Sequence, residues 1–194
     1  MQNNNSGFRS QVSGFTLIEL LVVIAIIAIL MTLLIPTMGT VTRSAKKMKA
    51  LTEIKAIETA VKAYMNEYSR FPHMVASADY DYGYDSGGDQ ANNSYLMNVL
   101  RSIADVGNQN GTNNPRKIIF LETSAASITT VNPVGCFVDP WGKQYKITVD
   151  TDFNNGCIPP AASAIENVTN RNVIVWSAGA DLQVNTADDV KSWK

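Results

Sequence analysis

Histidine is almost absent: His73 is the only one in 194 residues. That scarcity removes most of the usual equipment for acid-base catalysis and for transition-metal binding at neutral pH. His73 stands beside Pro72 without a serine, cysteine or glutamate constellation around it, so it reads as a surface residue and the chain as a non-enzyme. Cysteine is nearly as rare. Cys136 and Cys157 are the two present, and neither sits in a CxxC pair, which argues against metal or redox chemistry. In an oxidising compartment they could close one disulfide worth on the order of 3 kcal/mol, the outcome expected here; in a reducing one they would be small core residues. Net charge is lacking too, with 16 Lys and Arg against 17 Asp and Glu. A formal charge of -1 argues against a nucleic-acid-binding surface.

What the chain does have is one long apolar run. From residue 15 to 35 the exceptions are Thr16, Glu19 and Thr32. As a helix that stretch spans about 31 Å, the thickness of a bilayer core. A carboxylate within such a segment costs roughly 2.5 to 3.5 kcal/mol on insertion scales, so Glu19 needs a partner. A cleaved secretory signal does not fit, because its apolar region is about 7 to 15 residues long and ends in a small-residue site. Here the run is followed by Pro36 and the small residue, Gly14, precedes it. The basic cluster Arg43, Lys46, Lys47 and Lys49 lies just past the run and reads as a contact for lipid headgroups. Counted alone, those charges would leave the C-terminal part in the cytoplasm.

Gly14-Phe15-Thr16-Leu17-Ile18-Glu19, followed by the apolar run, resembles the processing motif of type IV pilins and type II secretion pseudopilins. The resemblance implies that residues 1–14 are a leader removed by a prepilin peptidase, and that Phe15 becomes the methylated N-terminus. It implies a single-pass inner-membrane anchor and polymerisation helix at 15–36, with the rest of the chain periplasmic. It also implies a partner for Glu19: the Phe15 ammonium of a neighbouring subunit, so that two charges costly apart become a pair in the packed core of a filament.

Beyond Pro36 the pattern stays helical. Met48, Leu51, Ile54, Ile57, Val61, Tyr64, Met65 and Tyr68 recur at spacings of three or four, with Lys and Glu between them, so residues 37–70 form an amphipathic second half of the helix. It should end near Tyr68, ahead of Phe71-Pro72, with a bend at Pro36. Residues 74–91 mix Gly, Asp and Tyr and read as a loop whose acids, Asp79, Asp81, Asp85 and Asp89, are solvated. Residues 92–105 suggest a short helix capped by Asn92 or Asn93; residues 118–121 fit strand or helix. Asp139-Pro140-Trp141-Gly142 fits a type I turn. Tyr145, Ile147 and Val149 alternate as a half-buried strand, and residues 172–177 form a second. The expected fold is α+β and pilin-like: a long N-terminal helix, its first half membrane-spanning, packed against a small antiparallel sheet in a globular domain at 71–194.

DPWGKQY and SAGADLQVNTADDVKSW resemble segments of the major pseudopilin of type II secretion systems. That resemblance implies calcium in the C-terminal loop, held by Asp181, Asp188 and Asp189 with carbonyls of Ala178 and Thr186, an all-oxygen set suited to a hard cation. Residues 182–187 lack the glycines usual in that family. The function implied is a structural subunit, self-assembling with minor pseudopilins on an inner-membrane platform into a periplasmic pseudopilus for protein export. A type IV or minor pilin for adhesion, motility or DNA uptake is the alternative. A pilin-anchored ligand-binding domain is a weaker one: Trp141, Trp176 and Trp193 could form a sugar platform, but two of them lie beside turn or strand signals and read as core.

Overall fold

A computed structural model describes residues 14–73, 78–84, 92–130 and 134–194, except for the side chains of residues 33–38 and 162. All of the expected leader but Gly14, and the bend expected at Pro36, lie outside what is described. Two compact units share the chain, Met1–Thr42 and Arg43–Lys194. Helix α1, Leu17–Tyr68, contributes to both.

In the first unit the large apolar side chains from Leu17 to Met31 are 44 to 83% exposed. Among the described residues no helix is long and apolar enough to cross a membrane, and the described side chains of the apolar run stop at Thr32.

In the second unit α1 buries Ala50, Ile54, Ile57, Val61 and Tyr64, which alternate at spacings of four and three along one face. Met48 was expected on this face but is 62% exposed, and Leu51, Met65 and Tyr68 flank it half-buried. The small Ala50 and Ala60 take part instead, letting the domain approach the helix backbone. The helix stops where expected. Ser69 turns left-handed at φ 52°, its N–H still donating to Met65 O at 2.8 Å.

The sheet is antiparallel in the order β1-β2-β5-β6, with β1 at Tyr80–Tyr82, β2 at Lys146–Val149, β5 at Val173–Ser177 and β6 at Val190–Lys191. Strands β3, Gly156–Cys157, and β4, Val168–Thr169, form a separate hairpin. The β2 strand is buried on both faces rather than half-buried, and so is β5. Val173 and Val175 join the cluster against α1, while Ile174 and Trp176 pack on the other side with Cys157, Val168, Tyr84 and Ile165. Coverage on both faces matches the continuous apolar run from Val173 to Trp176 in β5, while β2 keeps Thr148 buried among apolar neighbours.

Four expectations need correction. Residues 80–82 are a strand, not loop; Tyr-Asp-Tyr has the period of two, and pairing with β2 in the register Tyr80↔Val149 supplies its partner. The short helix is α2, Ser94–Leu100; Asn93 holds its N-cap position, but its side chain makes no capping bond. Its amide instead donates to Phe137 O and Tyr145 O at 2.8 and 2.9 Å and accepts from Phe137 N at 2.8 Å, tying α2 to β2. Residues 118–121 are neither helix nor strand: Phe120 and Leu121 N–H both donate to Leu100 O. Finally, Cys136 and Cys157 are free buried thiols, so the expected disulfide is not formed. Cys157 is directed at the carbonyls of Thr148 and Arg171 from the β3 hairpin, while the N–H of Cys136 is held by Thr129 Oγ1 in another loop.

The Asp139 turn is present. Gly142 N–H donates to Asp139 O at 2.9 Å with Gly142 at φ 88°, and Asp139 Oδ1 accepts from the N–H groups of Trp141 and Lys143.

Candidate functional site

The N-terminal end of α1 is closed by its own side chains. Thr16 N–H and Thr16 Oγ1 both donate to Glu19 Oε2, at 2.8 and 2.6 Å, and Glu19 N–H returns a bond to Thr16 Oγ1 at 3.3 Å. With Leu17 as the first helical residue, this is a capping box, in which the cap residue and the third helical residue satisfy each other's orphan N–H groups. In the sequence Glu19 reads as a charge that needs a neighbouring subunit. It has a local partner as well, and the Thr-x-x-Glu spacing was the signal for it. Gly14 and Phe15, on either side of the expected cut, are exposed.

The C-terminal loop gathers the three expected acids around one hydroxyl. Thr186 Oγ1 lies 3.3 Å from Asp181 Oδ1, 2.8 Å from Asp188 Oδ1 and 3.4 Å from Asp189 Oδ1. A hydroxyl carries one proton, so it can serve one of these oxygens at a time. The second oxygens of Asp188 and Asp189 are engaged by the loop and by Lys191. Asp188 Oδ2 accepts from Ala180 and Asp181 N–H at 2.7 and 3.1 Å, and Asp189 Oδ2 accepts from Asn185 N–H at 2.9 Å and meets Lys191 Nζ at 3.3 Å. Burial pushes the Asp188 carboxyl up, but hydrogen bonds from Thr186 and from the Asp181 and Ala180 N–H groups outweigh it and hold it at about 2. Gly179, at φ 72°, makes this possible: a Cβ there would lie 2.5 Å from Asp188 O. The Thr186 carbonyl accepts from Asp189 N–H, and Ala178 is buried at the end of β5. The point these carboxylates share is filled by the Thr186 hydroxyl, and among the described residues the acids whose oxygens converge closely enough to hold a cation together are Asp79, Asp150 and Asp152.

A second acidic group was not foreseen. Asp79, Asp150 and Asp152 each bring a carboxylate oxygen within 4.8 Å of the others. Asp79 lies far in sequence from Asp150 and Asp152 and meets them because β1 pairs with β2. Burial first, and then the neighbouring carboxylates, push Asp79 up to about 6. Asp81 is also pushed up to about 6, mainly by burial and despite a bond from Thr148 Oγ1. The sequence had placed both acids in solvent; Asp85 and Asp89 lie outside the described residues.

His73 is not a free surface residue. It is half-buried among Tyr80, Tyr82 and Tyr95, with Nδ1 2.9 Å from Tyr82 OH. Trp176 is core, its indole N–H donating to Tyr84 OH at 2.9 Å, and Trp141 and Trp193 are partly buried against separate clusters.

With this geometry in hand, comparison with known proteins gives a consistent answer at the N-terminal end. Residues 9–35 match the model of the prokaryotic N-terminal methylation motif. That motif and the relatives below support a pilin or pseudopilin family for the chain. It is 41% identical over 66 residues to the type IV major pilin protein PilA of Myxococcus xanthus, covering 34% of this chain and 30% of that one. It is 40% identical over 67 residues to the type II secretion system core protein G of Aeromonas hydrophila, and 36% over 67 residues to that of Pectobacterium carotovorum. Those matches cover 34% of this chain and 47% and 42% of the relatives, so the chain spans less than half the length of each. No solved structure matches significantly.

Proposed function

We propose that this pilin-like chain is a structural filament subunit of the type II secretion kind, with no turnover of its own. Residues 15–36 anchor it in the inner membrane with the globular part periplasmic. Prepilin peptidase cuts between Gly14 and Phe15, Phe15 is methylated, and the mature chains polymerise with minor pseudopilins on an inner-membrane platform into a pseudopilus for protein export. The observation that carries this reading is the Gly14-Phe15 junction set directly before a capped helix whose apolar face is exposed.

The cut leaves Thr16 N as an amide, so the capping box survives it. Only Oε2 of Glu19 takes part in the box, which leaves Oε1 to receive the Phe15 ammonium of a neighbour. One carboxylate then closes its own helix and sets the register of the next. Calcium at Asp181, Asp188 and Asp189 belongs to the same reading, supported by the three carboxylate oxygens around Thr186 Oγ1. A type IV pilin is the second reading, favoured by the likeness to the Myxococcus xanthus pilin.

The test is Glu19→Val in the full chain. The mature mass, beginning at a methylated Phe15, should be unchanged while filaments disappear; normal filaments from the variant would refute the pairing. Filaments recovered by shearing from the cell surface, rather than found in the periplasm, would favour the second reading.

A further inference from the structure

Two parts of this chain gather carboxylates, and they differ in what answers the charge. In the C-terminal loop Arg43 lies 3.7 Å from Asp188, and Lys191 lies 3.3 Å from Asp189. Among the described residues no Lys or Arg pairs with Asp79, Asp150 or Asp152, although one carboxylate oxygen of each lies within 4.8 Å of the others. Like charges this close repel unless a cation joins them. One atom sharpens the point. Asp79 Oδ2 accepts from Ile158 N–H, whereas Asp79 Oδ1 is shut away from solvent and, among the described residues, accepts no hydrogen bond. A buried carboxylate oxygen without a donor bears the full cost of desolvation, so it marks a place where a water or an ion belongs. A water would satisfy that one oxygen and leave the three carboxylates in conflict. A cation answers both.

The loop after β2 supplies the rest of the site. Asp150, Asp152 and Asn154 stand at the first, third and fifth positions of Asp150-Thr151-Asp152-Phe153-Asn154-Asn155, the oxygen-donor spacing with which calcium loops of the D-x-[DN]-x-[DN]-G kind begin. The sixth position of such a loop is glycine, for a sharp turn. Here it is Asn155 at φ 66°, and asparagine is among the few other residues that adopt the left-handed conformation readily. Asp150 is buried and holds the turn, its two oxygens accepting from Asn154 N–H at 3.1 Å and from Asn155 N–H at 3.0 Å. The twelfth position, a glutamate in such loops, is Ala161. Asp79, carried in at the head of β1 by its pairing with β2, brings a carboxylate in that glutamate's stead.

We propose that Asp79, Asp150, Asp152 and Asn154 form a calcium site that pins β1 to the loop after β2. Every donor is an oxygen, as a hard cation requires. Calcium, at about 2.3 to 2.6 Å from each ligand, accommodates oxygens up to about 5 Å apart, whereas magnesium at about 2.0 to 2.1 Å demands a tighter octahedron. Strand β1 is three residues long and stands at the edge of the sheet with β2 as its one neighbour, so a bound ion adds a tie that its short ladder lacks. The site goes beyond the filament reading: neither assembly nor the C-terminal loop is needed for it.

The test uses the full chain in detergent, carrying Asp188→Ala so that the C-terminal loop does not contribute. Titrated with calcium chloride, it should bind one ion per chain with a Kd below about 10⁻³ M, the weak end for calcium modules, and hydrogen exchange at residues 79–82 should slow on binding. Asp79→Asn or Asp152→Asn, each keeping side-chain size while removing a charge, should weaken binding roughly tenfold or more. Asp105→Asn, at an exposed acid elsewhere, should leave it unchanged. No binding by the Asp188→Ala chain, binding that survives both changes at the site, or exchange at residues 79–82 that ignores calcium would each overturn the proposal. Magnesium held as tightly as calcium would overturn the choice of ion, and the calcium-loop assignment with it.

Discussion

One helix serves two regions of this molecule, and it meets opposite conditions in them. In the first unit its apolar side chains lie exposed from Leu17 to Met31; in the second its apolar stripe from Ala50 to Tyr64 is buried under a sheet. The second stretch is satisfied by its own chain and the first is not. A continuous apolar surface left open is stable only when lipid or other copies cover it. Stability should therefore be written in the second unit and assembly in the first.

The largest effect that could break this division comes from the core of the sheet. Trp176→Ala removes a fully buried indole and its bond to Tyr84 OH, and should cost about 3 to 5 kcal/mol in a denaturant melt of the detergent-solubilised chain. Leu21→Ala, at an exposed position of the first unit, should leave that transition in place while reducing filament yield. If Leu21→Ala moved the melt as far as Trp176→Ala, the two regions would not be energetically separate.

Next in size is the C-terminal loop, where the second unit's self-sufficiency is open to question. If calcium binds there, a concentration a hundredfold above its Kd should add about 2.7 kcal/mol to the folded state. In a chain carrying Asp79→Asn, the melting temperature should rise with calcium over chelator, and Asp188→Ala should abolish the rise. An identical melt with and without calcium would mean that Thr186 and the loop N–H groups already satisfy these acids.

What the sequence made legible follows the same division. The helix end, the Asp139 turn and strands β2 and β5 could be read because each is dictated locally, by a proline, a turn signature or a run of β-branched residues. Strand β1 could not, since three residues between glycines and acids become a strand only when β2 is there to pair with. For the same reason the grouping of Asp79 with Asp150 and Asp152 was invisible: it exists through register, not spacing. The capping box was legible in Thr16 and Glu19 but hidden by the larger role assigned to Glu19. Spacing alone could not say that Cys157 stands in β3 while Cys136 stands elsewhere, beside Thr129, and the amphipathic pattern overcounted at Met48 because it does not show where the domain ends.

The smallest effect tests the acidic β1 edge, the one place where the second unit works against itself. Asp79 and Asp81, raised to about 6 by burial, contribute stability that is complete below their unfolded value near 3.8 and is lost as pH rises through 6. Asp188, held at about 2, and Glu58, held low by Lys62 and Lys55 against the cost of its burial, have the opposite sign, but their contributions are lost only below about pH 4.5. Between pH 4.5 and 7 the β1 acids therefore decide, and the free chain should be less stable at pH 7. Discounted for solvent screening, the difference is about 1 kcal/mol, or about 2 to 4 °C in Tm. Measured in chelator, Asp79→Asn should flatten the slope. A slope that Asp79→Asn leaves unchanged would place its origin in other groups of the chain.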